Sequence, residues 1–262
     1  MSIYEYQPAF YFFVILAALL GAVLGSFLNC AAFRIVRGES FIKGRSRCPS
    51  CGHELGAAEL IPVLSWLIQK GKCKWCGEKI SIRYPLTEIG FSLITVLCLL
   101  RFDLTIVCLR NYVFLCCLYL LTLTDLEDMT IPDGCHITAA LAWLVTAPFI
   151  YTQWKDALYC VLAAFIYGGG VLVISLWMDK RMGKDTLGGG DIKLIAVAAL
   201  YLGLVGSLFC IVFSCLAGLL VHGLAGRRSE PEFPFGPWIA LGTAVMLLYG
   251  EPLVRWYLSL IM

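Results

Sequence analysis

The chain has 262 residues, of which 60% are hydrophobic and only 15% charged, and its formal net charge is +2. That balance excludes an ordinary soluble domain, and so small a net charge gives no reason to expect a nucleic-acid partner. It is the composition of an integral membrane protein whose partner is the lipid bilayer.

Apolar runs able to cross a bilayer cover residues 9–33, 85–100, 111–126, 134–153, 157–178, 192–203, 205–225 and 237–258. They predict an all-α polytopic membrane protein with about eight transmembrane helices, some short enough to need tilt. The first run lacks a basic leader and a small-residue cleavage site, and reads as a retained helix. Within it Gly21 and Gly25, at i and i+4, allow a neighbouring helix to approach closely. Between 192–203 and 205–225 the segment Gly203-Leu204-Val205-Gly206 has to turn the chain, the competing reading being one long kinked helix.

Lys and Arg fall unevenly on this topology. Ten of the twenty lie between Arg34 and Arg83, four between Lys180 and Lys193, and two at Arg227 and Arg228. All of these fall on one side of an eight-helix chain, while Arg101, Arg110, Lys155 and Arg255 fall on the other. The positive-inside rule places the first group in the cytoplasm and both termini outside.

The polar insertion at residues 34–84 holds Cys48-Pro49-Ser50-Cys51 and Cys73-Lys74-Trp75-Cys76, each followed by a glycine, Gly52 or Gly77. Such glycines permit the tight turn that aims two thiolates at one tetrahedral metal, and a cytoplasmic location argues against disulfides. Cys48, Cys51, Cys73 and Cys76 are therefore candidate ligands of a structural zinc, the alternatives being surface thiols or a redox pair. Between the pairs, Ile61 to Ile68 is an apolar stretch suited either to the membrane surface or to packing over the knuckles. The other nine cysteines lie mostly in apolar runs and behave as small hydrophobes.

Two acids stand where apolar sequence has no use for them. Asp125 closes the run at 111–126, ahead of Glu127, Asp128 and Ile131-Pro132-Asp133. Asp191 opens the run at 192–203 behind Gly188-Gly189-Gly190. Both sit at the cytoplasmic end of their helices, so they share one membrane depth although far apart in sequence. Ionisable groups at that depth are candidates for function, whereas Glu127, Asp128 and Asp133 fit a solvated turn. The bland reading of Asp191 is a helix cap, and that of Lys193 a snorkelling interfacial lysine. The sharper reading is a hydrolytic dyad. One carboxylate takes a proton from water, the water attacks a carbonyl, and the other, protonated carboxyl hydrogen-bonds the oxyanion and then protonates the leaving amine. The three glycines would let Asp191 move towards Asp125, with Lys193 in support.

Taken together, these residues resemble the bacterial prepilin leader peptidases, the GxGD-type membrane aspartic proteases that process type IV pilins and pseudopilins. The resemblance spans nearly the whole chain: Gly25-Ser26-Phe27-Leu28-Asn29, both cysteine pairs, Ile61-Pro62-Val63-Leu64-Ser65-Trp66, Arg83-Tyr84-Pro85-Leu86-Thr87-Glu88, Asp125 with Ile131-Pro132-Asp133, Gly188 to Asp191, and Phe233-Pro234-Phe235-Gly236-Pro237. It departs at Glu59-Leu60, where relatives often carry Asp-Asn. The resemblance implies a first transmembrane helix at 1–33, a cytoplasmic zinc loop at 34–84 and a membrane-embedded aspartic peptidase core at 85–262. It implies that Asp125 and Asp191 are catalytic, that prepilin or pseudopilin precursors are cut at the cytoplasmic face of the bacterial inner membrane, and that S-adenosylmethionine-dependent N-methylation follows. No Gly-x-Gly-x-x-Gly fingerprint marks a site for that methyl donor. The alternatives are a peptidase without methyltransferase activity, a proton-coupled transporter using the same two acids, and a scaffold built on the cysteine loop.

Overall fold

The computed structural model describes residues 3–4, 7–42, 44–183, 186–224 and 234–261, so Lys43, Lys184, Arg227, Arg228 and Phe233 of the sequence argument lie outside the described residues. The described chain is helical: α1 (Gln7–Val36), α2 (Leu64–Ile68), α3 (Arg83–Phe102), α4 (Ile106–Asp128), α5 (Asp133–Ile150), α6 (Trp154–Met182), α7 (Gly189–Leu224) and α8 (Gly236–Ile261). Among the described residues, 7 helices are long and apolar enough to cross a membrane, every one except α2. The segment expected as two helices is α7, in which two helical stretches meet at a kink at Gly203, with φ 66° and ψ −172°. Only glycine adopts that backbone readily, and this explains why the sequence reads there both as two helices and as one. Large apolar side chains point outward throughout, Phe165 with 75% and Val173 with 66% of their surface exposed, as a hydrocarbon solvent requires.

The chain forms two compact units, residues 1–108 and 109–262. In the first, α1 packs on α3 through the two glycines. A Cβ on Gly21 would stand 2.7 Å from the Cα of Ser92, and one on Gly25 would stand 3.2 Å from the Cα of Glu88. That backbone-close seam is tied by Ser92 Oγ donating to the Ala18 carbonyl at 2.8 Å and by Asn29 Nδ2 donating to Thr87 Oγ1 at 3.1 Å. Glu88, buried in α3, accepts the backbone N–H of Val63 at 2.7 Å, which docks the Ile61–Ile68 stretch on the helix. Trp66 then turns inward, donating from Nε1 to the Ile80 carbonyl at 3.0 Å, while Leu64, Leu67 and Ile68 stay exposed. Packing towards the second knuckle is thus realised by Trp66.

The second unit is built on equally short approaches. A Cβ on Gly168 of α6 would lie 2.6 Å from Ala196 Cβ of α7, and one on Gly242 of α8 would collide with Ser214 Oγ of α7. Tyr201 of α7 stacks on Phe114 of α4 with ring centroids 4.2 Å apart and donates its hydroxyl to the Ala139 carbonyl of α5 at 2.8 Å. One side chain thereby ties α4, α5 and α7 together.

Candidate active site

Asp125 lies in the last turn of α4 and Asp191 in the first turn of α7, and both are buried, with 5% and 9% of their surface exposed. Each keeps one carboxylate oxygen without a hydrogen-bond partner, Oδ2 of Asp125 and Oδ1 of Asp191. A buried polar atom left in that state costs about 1–3 kcal/mol, which a fold tolerates where another molecule is to be bound. The two acids lie close enough for the charge of Asp125 to act on Asp191.

What brings them together is Ile131, in the turn that follows α4. A Cβ on Gly190, just before Asp191, would stand 2.9 Å from Ile131 Cβ. A Cβ on Gly236, the first residue of α8, would stand 3.0 Å from Ile131 Cδ1 and 2.7 Å from Asp125 Oδ2. One isoleucine therefore spaces the starts of α7 and α8, and two glycines let those starts reach it. The Gly236 N–H faces the Asp125 carboxylate, so the amino end of α8 points at one acid while Asp191 sits at the amino end of α7. Pro237 at the next helical position lacks an N–H and needs no partner there. Gly188 sits beside Asp191, where a Cβ would be 3.3 Å from Oδ2, and nothing lies within 4 Å of a Cβ on Gly189.

Lys193 donates from Nζ to Asp133 Oδ1 at 2.6 Å, joining the starts of α7 and α5. Asp133, which fits a solvated turn in the sequence, is indeed exposed, but it is also this lysine's partner. Three further residues complete the site: Ile131 and Gly236, which the sequence offers only inside longer motifs, and His136, which carries no sequence signal. Gly236 was readable only as part of a motif, and His136 only from contacts that the folded chain creates.

The four cysteines meet in the first unit. Their sulfur atoms all lie within 4.8 Å of one another. Cys48 Sγ and Cys76 Sγ are 3.9 Å apart, close to the edge of about 3.8 Å that a zinc tetrahedron with 2.3 Å bonds requires. The two halves repeat. Cys48 N–H donates to the His53 carbonyl at 2.9 Å as Cys73 N–H does to Glu78 at 2.8 Å, and Gly52 and Gly77 return to Cys48 and Cys73, both at 2.9 Å. Gly52 at φ 72° and Gly77 at φ 73° make the turns. Backbone N–H groups of Cys51 and Ser50 aimed at its sulfur bring the Cys48 thiol down to about 7, while burial and the three neighbouring thiols push Cys76 up to about 12. These residues fit a metal ion. At the departure from the motif, Glu59 accepts the Gly56 N–H at 2.8 Å and Trp75 Nε1 at 3.2 Å, so the altered dipeptide ties the insertion to the second knuckle.

Against known proteins, the profile of the bacterial peptidase A24 N-terminal domain matches residues 19–102 and that of the type IV leader peptidase family matches residues 112–223. The prepilin leader peptidase/N-methyltransferase of Bacillus subtilis (strain 168) is 35% identical over 248 residues, which cover 92% of this chain and 96% of that protein. Proteins of the same name from Aeromonas salmonicida (strain A449) and Myxococcus xanthus (strain DK1622) are 34% and 33% identical, over 83% of this chain and 76% and 67% of theirs. No solved structure matches the chain.

Proposed function

The chain belongs to the type IV leader peptidase family, and from that premise we propose that it is an aspartic endopeptidase that removes the leader from prepilin or pseudopilin precursors, with Asp125 and Asp191 as the catalytic pair. The observation that carries this reading is the convergence of two buried carboxylates, each with an unpartnered oxygen, from helices far apart in sequence.

Such a pair performs peptide hydrolysis with its own atoms. The ionised carboxylate removes a proton from a water lying between the two acids, and that water's oxygen attacks the scissile carbonyl. The protonated carboxyl donates a hydrogen bond to the oxygen that becomes negative. The proton taken from water then passes to the leaving amine as the C–N bond breaks. Gly188, Gly189 and Gly190, the last two already in the first turn of α7 and not in a separate loop, leave Asp191 room to adjust as substrate enters, and Lys193 holds the start of α7. The excess of Lys and Arg in residues 34–83 and 180–193 supports placing this chemistry at the cytoplasmic face of the bacterial inner membrane, where a basic leader meets a hydrophobic helix.

Cys48, Cys51, Cys73 and Cys76 would hold zinc as a structural clamp, its chemistry confined to fixing the two knuckles. The relatives' names carry N-methyltransferase beside peptidase, which supports a second step, methylation of the new N-terminus from S-adenosylmethionine. We assign that donor no residues, since the chain lacks the glycine fingerprint of a dinucleotide fold. No relative named above is a transporter, and the transport reading is dropped.

The test is cleavage of a co-reconstituted prepilin, followed by mass spectrometry of the product. Asp125→Asn and Asp191→Asn should each abolish cleavage while leaving the protein in the membrane; undiminished cleavage by both variants would overturn the assignment. A product heavier by one methyl group only when S-adenosylmethionine is supplied would establish the second step.

A further inference from the structure

His136 lies in the first turn of α5 with 6% of its surface exposed, and neither Nδ1 nor Nε2 has a hydrogen-bond partner. A buried imidazole always has one N–H to donate and one nitrogen to accept with, or two N–H groups when charged, so leaving both unused is unfavourable in every protonation state. Its surroundings are those of the proposed dyad. Asp133 Oδ1 stands 4.0 Å from Nδ1, beyond a hydrogen bond, and is already taken by Lys193 Nζ of α7 at 2.6 Å. The remaining polar neighbour on α7 is the backbone of Gly190. Gly190 is also the residue wedged against Ile131, and the residue whose carbonyl begins the peptide bond to Asp191.

We propose that His136 is a positioning residue for Asp191: its ring N–H closes on the Gly190 carbonyl when the first turn of α7 takes up its working position, and so fixes the height of the Asp191 carboxylate. This rests on the peptidase reading above. Gly189 and Gly190 open α7, and the Asp191 N–H donates to the Gly188 carbonyl at 3.0 Å, so the seating of this first turn sets where the Asp191 carboxylate stands. The Asp133–Lys193 pair clamps α7 from the solvent side and leaves His136 as the inner contact. The imidazole touches neither water nor substrate in this role; it acts through the backbone that carries Asp191.

The experiment measures initial cleavage rate against prepilin density in proteoliposomes for the full chain. It compares His136→Leu and His136→Phe, which remove the donor, with His136→Asn and His136→Gln, which return an N–H near one ring nitrogen or the other. Loss of a positioning contact should lower kcat by about 10- to 100-fold in the apolar variants and leave KM within about twofold. One of the carboxamide variants should recover most of the rate. A folded apolar variant with wild-type kcat overturns the inference, as do two carboxamide variants no better than leucine. If neither apolar variant accumulates in the membrane, the ring serves the fold and the inference falls as well. Asp125→Asn and Asp191→Asn are run beside them. Should these cleave normally, the peptidase reading fails on its own terms, whatever His136 does.

Discussion

Gly236 of α8 stands so close to Asp125 of α4 that a single added methyl group would lie 2.7 Å from the Oδ2 atom. The atom it would meet is the end of a side chain, which can swing aside without moving the helix. Gly236→Ala should therefore leave the fold intact and displace the carboxylate, with cleavage falling by about tenfold or more for a misplacement of that order. Rate and thermal midpoint measured on the same preparations decide the matter. A large loss of stability with unchanged specific activity would place the constraint in packing and not in chemistry.

Gly190 makes the opposite kind of contact, because the atom facing it is the branched Cβ of Ile131, 2.9 Å from a built Cβ. A β-branched side chain cannot rotate its Cβ away, so in Gly190→Ala the first turn of α7 must shift, and Asp191 with it. Cleavage should fall by about tenfold or more. Removing the obstacle should return part of that loss, so Gly190→Ala with Ile131→Ala should be more active than Gly190→Ala alone. Two penalties that simply add would mean that the residues do not share this contact.

What the sequence could disclose here follows from what a membrane penalises. Asp125 and Asp191 stood out because each is an acid at the edge of an apolar run, and the cysteine pairs stood out by spacing; both signals are local. Gly21 and Gly25 announced close packing and met Ser92 and Glu88. His136 carried no comparable signal, since one histidine in an apolar run is ordinary, and its meaning depends on Gly190, brought beside it from 54 positions later in the chain. Ile131 is legible in the sequence only as part of the motif after Asp125, and its role as a spacer depends on two helix starts that meet on it. The number of helices stayed ambiguous because Gly203 breaks α7 by a backbone angle and not by any polar residue.

The Lys193–Asp133 pair is exposed on both sides, at 55% and 65% of the side-chain surface, so its worth to the fold is small. Its effect should appear in the reaction, because it anchors the helix that carries Asp191 two residues before the lysine. Lys193→Met and Asp133→Asn are each expected to slow cleavage several-fold with little change in the amount of folded protein. Exchanging the two residues, Lys193→Asp with Asp133→Lys, should recover part of the rate. High salt should weaken the wild type towards the single variants. Equal losses in the single variants and the exchanged one would show that the charges act separately.

The two cysteine knuckles repeat with an offset of 25 residues, Cys48 on Cys73, Gly52 on Gly77 and the Arg47–Glu54 bridge on Lys72–Lys79. Each half is too small to bury a core, so four thiolates on one ion are what can hold them together. Protein purified without chelators should carry about one zinc per chain. Cys48 and Cys73 are buried, whereas Cys51 and Cys76 are exposed. Serine at an inner position should therefore remove more metal than serine at an outer one, because water can approach the outer corner and replace a lost ligand. Loss of the ion should open the segment to proteolysis between Ser46 and Ile80, the residues whose backbone bonds close the two turns. Metal analysis and limited digestion of the four single Cys→Ser variants test both statements. Wild-type zinc content in all four variants, or none in the wild type, would remove the metal from this account.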